Sequence, residues 1–377
     1  MHEPISSPSL GRRRRTTLLI VGALLIGVFY GLFSVHTSEY AITPGDATPV
    51  APLVKIHGVA TNPKHDTIML ADVYLQQLTP WQWLTLHFQS HVQYVPGYEL
   101  TQPGVSDAEL LAQGFLEMRD AKQAAEVTAF RTLGWTVPAT PTGTIVNAVL
   151  ASSPASRAGL SVGDDIVGVN GTPVRDQCQL FQYLHTRSPG AALKLSVERV
   201  KISNSGTLTW GSPTSMNIVT SATPSNTSSW TCAGVTESNS SWLGVAIEND
   251  VSYQLPAKVS IDTANIGGPS AGLAMTLTLI NKLSGGSLTG HHVIAVTGTI
   301  SVNGTVGPVG GVEEKAVAVH NAGASYFIVP NGGGNVAGAR AAHQPGLKIL
   351  GVTTLKQVLN DLRTFGGVKP QALTKPS

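Results

Sequence analysis

Residues 266–277 read IGGPSAGLAMTL, which is a glycine pair and a proline, then a serine, then an apolar run. The apolar run predicts a buried helix, and the glycines let the backbone turn tightly into its first residues. Ser270 therefore lies at the helix N-terminus, where free N–H groups and the helix dipole suit an oxyanion hole. Serine is also a common N-cap, so the stretch alone favours a cap over a nucleophile.

Ser270 requires a base before it can act as a nucleophile, because a serine hydroxyl is weakly reactive at its ordinary pKa. The nearest histidine in the sequence is His291, beyond the predicted helix. A second helix is predicted after Gly310-Gly311. Four of its residues fall at helical spacing on one stripe, which are Val312, Lys315, Ala316 and Val319.

Lys315 is the candidate base. The stripe should face the core, so we expect Lys315 to be buried and Glu313 and Glu314 to point away from it. Burial lowers the pKa of an amine, and a neutral amine is able to accept the proton of Ser270. The stripe leaves one alternative open, a lysine that reaches solvent from a half-buried helix.

The segments around these two helices alternate between predicted strands and helices, which is typical of a layered α/β or α+β domain over residues 241–365. SVNGTV (301–306) is expected to turn a hairpin, and TTLKQVLNDL (353–362) to form a final helix. The predicted strands are VSYQLP (251–256), AKVSID (257–262), HHVIAVTGTI (291–300), SYFIVP (325–330) and LKILGV (347–352).

Residues 141–201 form another compact unit, with a strand, a short helix after Ser153-Pro154, a strand ending at Asn170-Gly171, a helix and a closing strand. Through SPASRAGLSVGDDIVGVNGTPV (153–174) and the helix after it, the unit resembles a PDZ domain of bacterial envelope proteases. The resemblance implies a groove beside a strand and a helix, where an extended chain end adds as a further strand. We expect its carboxylate-binding loop near LGWTVPATPTG (133–143).

The N-terminus has the composition of a membrane anchor. Residues 1–15 form a basic tail with four arginines at 12–15, and residues 16–35 include sixteen residues without charge, LLIVGALLIGVFYGLF. Twenty residues in a helix span roughly 30 Å, the thickness of a hydrocarbon core. Arginines flanking the span stay in the cytoplasm, so the body is predicted outside. A cleaved signal peptide is the competing interpretation.

The rest of the composition excludes some classes of function. Charged residues make up only 12% of the chain and its net charge is +2, so no basic face for nucleic acid is expected. Cys178 and Cys232 are the only cysteines, and either one disulfide or two free thiols fits an extracytoplasmic body. No metal site is expected.

Three further regions complete the division of the chain. Residues 40–140 are predicted to form strands and one helix (105–134, with a Ser106/Glu109 capping box) that pack with the PDZ domain. Residues 202–240 are rich in Ser and Thr and are predicted to be a linker, and residues 366–377 a tail.

GGPSAGLAMTL and VTGTISVNGTVGPVGGVEEKAVAVHNAGA (296–324) together are similar to the proteolytic domain of the Lon family. In that family the motif serine pairs with a lysine in the helix after Gly-Gly, which gives Ser270 and Lys315 here as the catalytic residues. Thr297 is expected to hydrogen-bond the lysine. The order of anchor, PDZ domain and Lon-type domain resembles the membrane-anchored PDZ–Lon proteases of bacteria, an α+β multi-domain architecture.

The resemblance implies a serine endopeptidase of the cell membrane, single-pass, with its catalytic domain extracytoplasmic. It would cleave peptides or flexible protein segments selected by the PDZ groove. The chain has no GxxxxGK[ST] motif, so we expect activity without ATP and without any cofactor. Lon-type domains commonly form hexameric rings, and the resemblance implies a homo-hexamer here.

One residue departs from the family pattern, because many Lon enzymes carry an acidic residue where this chain has Gly267. An alternative function is therefore a membrane-tethered PDZ adapter with an inactive Lon-like domain. Another is a hydrolase that pairs Ser270 with a histidine, the candidates being His291, His292, His320 and His343.

Overall fold

The computed structural model describes residues 10–62, 66–100, 106–203, 206–224, 232, 241–285 and 287–373. The α-helices of these residues are α1 (Leu10–Ser34), α2 (Pro80–Leu86), α3 (Gly97–Leu100), α4 (Asp107–Thr132), α5 (Pro154–Ala158), α6 (Gln177–His185), α7 (Gly272–Leu283), α8 (Val312–Asn321), α9 (Asn335–Ala341) and α10 (Leu355–Thr364).

Their strands are β1 (Glu39–Pro49), β2 (Val54–His57), β3 (Ile68–Gln77), β4 (Gln93–Pro96), β5 (Ala139–Val149), β6 (Asp165–Val169), β7 (Thr172–Pro173), β8 (Ala192–Glu198), β9 (Val200–Ile202), β10 (Leu208–Trp210), β11 (Thr214–Val219), β12 (Ser221–Ala222), β13 (Ser241–Trp242), β14 (Val245–Tyr253), β15 (Lys258–Ile261), β16 (Ile294–Val296), β17 (Thr299–Ile300), β18 (Val306–Gly307), β19 (Tyr326–Pro330) and β20 (Lys348–Val352). The α+β multi-domain class predicted from the sequence is confirmed.

One six-stranded sheet has the order β20-β19-β16-β3-β1-β4. Its centre is parallel, and β1 is antiparallel to both of its neighbours. Alternate residues of β3 face opposite sides, so that Ile68 and Leu70 join α4, α7 and α10 in one core while Met69 and Ala71 join α8 and α9 in another. Helices on both faces explain why these strands are continuously apolar.

The strands of residues 40–140 differ from the expectation that this region packs with the PDZ domain. β1, β3 and β4 belong to the sheet that holds β16, β19 and β20, and β2 pairs with β15. The reason is that β3 carries apolar side chains on both faces and needs two covered faces. A single amphipathic sheet with one solvent face would have left half of them exposed.

The second sheet has the order β11-β8-β6-β5-β14, with β7 beside β6, and encloses a separate core with α5 and α6. Its two edge strands, β11 and β14, lie outside the predicted 141–201 boundaries. β11 was expected within the 202–240 linker, so residues 208–222 of that linker are strands instead. Most of the remaining linker, residues 225–231 and 233–240, lies outside the described residues.

Helix α4 contacts both halves of the molecule. It begins with the predicted capping box, in which Ser106 Oγ accepts from Glu109 N–H and Ser106 N–H donates to the Glu109 carboxylate. Ala125 and Phe130 pack in the core with α7, whereas Leu116 packs with Ile145 of the PDZ-like sheet. The helix therefore connects the two sheets mechanically.

Helix α1 contains an apolar window, Thr17–Ser34, with mean hydropathy 2.2 and no buried residues. By length and composition it is a candidate membrane span, close to the predicted 16–35. Cys178 at the start of α6 forms a disulfide with Cys232, with 5.6 Å between the Cα atoms, which decides between the two states left open by the sequence.

Candidate active site

Ser270 lies in a single 3₁₀ turn, Pro269–Ala271, that leads directly into α7. The turn depends on Gly268, whose φ of 83° is a left-handed value that favours glycine. Gly298 N–H donates to Ser270 O at 2.8 Å and fixes the main chain of the serine. Ser270 is partly exposed, as a nucleophile must be. At the start of α7, Leu273 N–H donates to Gly298 O at 3.1 Å.

Lys315 occupies the second turn of α8, which packs against β1 and β3. Only 3% of the residue is exposed, so the alternative of a lysine reaching solvent does not apply. Burial lowers the pKa of Lys315 to about 8, although the carboxylates of Asp72 and Glu314 act in the opposite direction. With this pKa, roughly a tenth of the amine is neutral near pH 7.

Thr297 joins the two candidate residues. Lys315 Nζ donates to Thr297 Oγ1 at 3.4 Å, and Thr297 Oγ1 donates to Ser270 O at 3.3 Å. Thr297 is fully buried at the end of β16. Within the described residues, the amine therefore reaches Ser270 through Thr297 and makes no direct hydrogen bond to Ser270 Oγ.

Asp72 is the residue of this site that the sequence analysis missed. It lies on β3, and its carboxylate accepts from Asp46 N–H at 2.6 Å. Asp46 follows Gly45 at a break in the β1–β3 register, where any side chain at 45 would collide with Asp72. No motif marks Asp72, because its proximity to Lys315 arises only when β3 and α8 pack together.

Glu314 corrects the expected orientation of α8. Glu313 is partly exposed and pairs with His91 Nδ1 at 3.1 Å, but Glu314 is buried like Lys315 beside it. Burial raises the pKa of Glu314, while its own backbone N–H at the helix N-terminus lowers it. The prediction assumed that only one face of α8 is covered, but α9 also packs against α8.

The substitution of an acidic residue by Gly267 has a structural cause. Gly267 and Gly268 lie directly against Gly114 of α4, and Gly268 N–H donates to Gly114 O at 2.7 Å. A Cβ at 267 would lie 3.3 Å from the Gly114 carbonyl carbon, which is tighter than ordinary contact. Helix α4 thus fills the space that an acidic side chain would need.

A cleft of about 320 Å³ opens beside Ser270. Its walls are residues 117–124 of α4, residues 248–253 of β14, Pro269 and residues 299–302. Asp120 and Glu248 lie close together on these walls. Burial, despite the nearby Arg119 guanidinium, raises the pKa of Asp120 to about 7.

Within the residues that the structure describes, strand β14 has one paired edge and one open edge. It pairs with β5 from Val245 to Tyr253, and its other edge faces α6, where Gln177 N–H donates to Asn249 Oδ1 at 2.8 Å. Residues 139–143 belong to β5, whose edge β14 covers, so the strand edge that could receive a chain end is that of β14, beside α6. The carboxylate-binding loop would then be the residues before β14.

Further along the same open edge, Gln123 of α4 donates to Val251 O at 2.9 Å. The open edge of β14 therefore passes from α6 to the cleft beside Ser270.

The histidines proposed as alternative bases have other contacts. His291 Nδ1 lies 3.8 Å from Asp66, and the ring of His292 packs edge-on against Tyr326. In the part of the chain that the structure describes, none of the four hydrogen-bonds Ser270, and no cluster of three potential metal ligands occurs.

Comparisons with known proteins agree with this geometry. Residues 235–364 match the Lon protease (S16) C-terminal proteolytic domain, and residues 117–209 match the PDZ domain. A Lon protease of Desulforamulus reducens is 45% identical over 64 residues, covering 17% of this chain and 8% of that protein. A Lon protease of Phenylobacterium zucineum is 37% identical over 107 residues, covering 27% and 13%.

The PDZ domain of an SdrC-like protein from Listeria monocytogenes aligns in three dimensions with 17% identity and a TM-score of 0.21, covering 28% of this chain and 87% of that one. The chain spans about a tenth of the length of the curated relatives it matches. The matched regions cover only part of each sheet, because β1, β3 and β4 of the first sheet and β11 of the second lie outside them. The chain therefore contains one region that matches the Lon (S16) proteolytic domain and another that matches a PDZ domain.

Proposed function

We propose that this chain is an ATP-independent, membrane-anchored serine endopeptidase that acts through Ser270 and Lys315. The single observation that carries the proposal is the buried amine of Lys315, linked through Thr297 to a serine at a helix N-terminus. A lysine whose pKa falls to about 8 is poised for proton transfer near neutral pH.

The reaction follows from these positions. Neutral Lys315 accepts the proton of Ser270 Oγ as that oxygen attacks a peptide carbonyl, and backbone N–H groups of the turn that carries Ser270 stabilise the oxyanion. The lysine then protonates the leaving amine, and water hydrolyses the acyl-enzyme. Because Lys315 Nζ donates to Thr297 Oγ1, the lysine must turn towards Ser270 Oγ before the attack.

The open edge of β14 supports a route for the substrate. PDZ domains bind an extended chain end as an added strand, and this edge faces α6 in the manner that such binding requires. The same edge continues to the cleft beside Ser270. The substrate class is therefore a peptide or flexible segment with a free C-terminus, since the chain carries no P-loop for an unfolding motor.

The anchor supports a location in the cell membrane, with the arginines at 12–15 in the cytoplasm and the catalytic domain outside. A disulfide between Cys178 and Cys232 suits an oxidising compartment. A homo-hexameric ring, as in other Lon-type domains, remains part of the proposal.

The test is cleavage of an unfolded casein-type substrate by the purified chain. Ser270→Ala and Lys315→Ala should each abolish cleavage while circular dichroism and thermal unfolding remain close to those of the wild type. Ser215→Ala, at an exposed position of β11, is the matched control and should retain activity. Cleavage that persists in folded Lys315→Ala protein would refute the pair.

One observation favours a second function, a tethered PDZ adapter with an inactive proteolytic domain, because Ser270 Oγ lacks a direct bond to the amine. A peptide boronate separates the two. It should label or inhibit the wild type at Ser270 if the pair is competent, and it should leave an adapter unmodified.

A further inference from the structure

A surface of exposed aromatic and aliphatic side chains lies immediately after the candidate membrane helix in space. Residues 73–98 contain no Asp, Glu, Lys or Arg. On and just after α2, four large side chains are exposed to solvent, with fractions of 43% for Trp81, 40% for Trp83, 47% for Leu84 and 85% for Phe88. A folded chain rarely leaves such a group uncovered without an interaction partner.

The exposed side chains lie on or next to α2, which is a well-anchored helix. A capping box between Thr79 and Gln82 fixes the start of α2, and Leu86 is buried against Ala41 and Leu78. The helix is thus held by one inward residue while its aromatic residues point outward. Local unfolding would cost that buried contact and the cap.

The same group is continuous with α1. The ring of Phe33 lies 5.2 Å from that of Trp81, and Thr37 N–H and Oγ1 both donate to Leu78 O, at 2.7 and 2.9 Å. These contacts join the C-terminal end of the apolar helix to the start of α2. If α1 spans a bilayer, α2 lies at the level where the hydrocarbon ends and the headgroups begin.

We propose that Trp81, Trp83, Leu84 and Phe88, here called the aromatic shelf, dock into the headgroup–acyl boundary of the bilayer that α1 spans. Tryptophan is enriched at this boundary because its ring is apolar and its N–H is polar. The inference rests on the membrane anchor of the proposed function and not on proteolysis.

The neutral composition of the segment identifies the partner further. Without Lys or Arg between residues 73 and 98, the shelf has no group to select anionic headgroups. We therefore expect docking on zwitterionic phosphatidylcholine, and we expect it to persist at high salt. Docking also fixes the height of the proteolytic domain, since His91, just beyond the shelf, pairs with Glu313 of α8.

The experiment uses the full chain reconstituted in phosphatidylcholine vesicles with or without brominated acyl chains. Phe88→Cys is labelled with a small fluorophore, and Thr172→Cys, exposed on the PDZ unit, is the matched control. Brominated lipid should quench the label at 88 at least several-fold more than the label at 172. The contrast should be unchanged between low salt and 0.5 M salt.

The outcomes separate the shelf from the anchor. A chain that floats with the vesicles but shows equal, weak quenching at both positions overturns the shelf and leaves the anchor intact. A chain that does not float overturns both. A label at 88 that is shielded from water but not quenched, in a chain that crosslinks to a second copy, assigns the shelf to a protein interface and overturns the proposal for lipid.

Discussion

The candidate catalytic centre and the open edge of β14 are neighbours, yet they are built in opposite ways. The centre places Thr297 and Lys315 in the interior, because a lysine amine loses its proton near neutral pH only when water is removed. The edge of β14 remains half-exposed, because a strand that receives a substrate must keep unpaired backbone groups. Burial of the lysine favours proton transfer, and exposure of the strand edge leaves it free to bind a substrate.

The largest effect is expected from adding a side chain at residue 267, next to the turn that carries Ser270. Gly267→Asp restores the acidic residue of many Lon enzymes, but its side chain meets α4 at Gly114. The turn that carries Ser270 should shift, and a displacement of about 1 Å costs on the order of 100-fold in rate. The measurement is kcat/KM on a fluorogenic peptide, with Gly310→Ala, which meets no neighbouring atom, as the control. Unchanged activity would mean that α4 moves aside for the new side chain and the turn that carries Ser270 does not shift.

A smaller effect tests the enclosure of the lysine. The reaction needs the neutral amine, so kcat/KM should rise with pH through about 8. Asp72 favours the ammonium form, so Asp72→Asn should lower the pKa of Lys315 and move this rise to lower pH. A shift of one unit would raise the rate at pH 7 about 5-fold, because the neutral fraction of the amine would rise from roughly a tenth to roughly a half.

The control for that shift is Asp46→Asn, which keeps the backbone N–H that binds residue 72 and should move the profile less. An identical profile in wild type and Asp72→Asn would show that the carboxylate at 72 does not act on the lysine.

The smallest effect concerns the distance between the bound C-terminus of a substrate and the cut, which the length of the open edge of β14 should set. A C-terminus bound before Val245 would run antiparallel along β14 and leave it near Val251, where Gln123 occupies the edge. At ~3.3 Å per residue, the cut should fall roughly six to ten residues from that C-terminus. Mass spectrometry of an unstructured substrate should show the cut moving by four residues when four residues are appended.

Amidation of the C-terminus should weaken that preference several-fold. If the cuts stay at fixed sequence positions in all these substrates, the edge of β14 does not position the substrate for cleavage. That result would not contradict the peptidase activity itself.

Local chemistry was predictable from the sequence. The glycine-rich turn before Ser270, the helix that carries Lys315 and the Ser106 capping box are each encoded within a few residues. The Lon-type and PDZ domains are confirmed by the family matches. Ser270 and Lys315 as a catalytic pair stay a prediction.

Long-range pairing was not predictable. β14 joins β5 across about a hundred residues, and β3 joins β16 across more than two hundred. Periodicity reports which faces of a strand are buried but not which strand lies beside it. For the same reason Asp72 escaped notice and Glu314 was placed in solvent, since each position depends on a partner element that is distant in sequence.

The strand order determines which fragments of the chain contain the complete sheet of the proteolytic domain. The sheet of the proteolytic domain takes β1, β3 and β4 from residues before the PDZ unit and β16, β19 and β20 from residues after it. The PDZ unit is therefore an insertion in the protease, and a fragment starting at residue 241 would lack half of its sheet. A minimal fragment must join residues 39–132, which include α4, to the C-terminal segment, so removal of the PDZ unit, and not N-terminal truncation, preserves the sheet and its core.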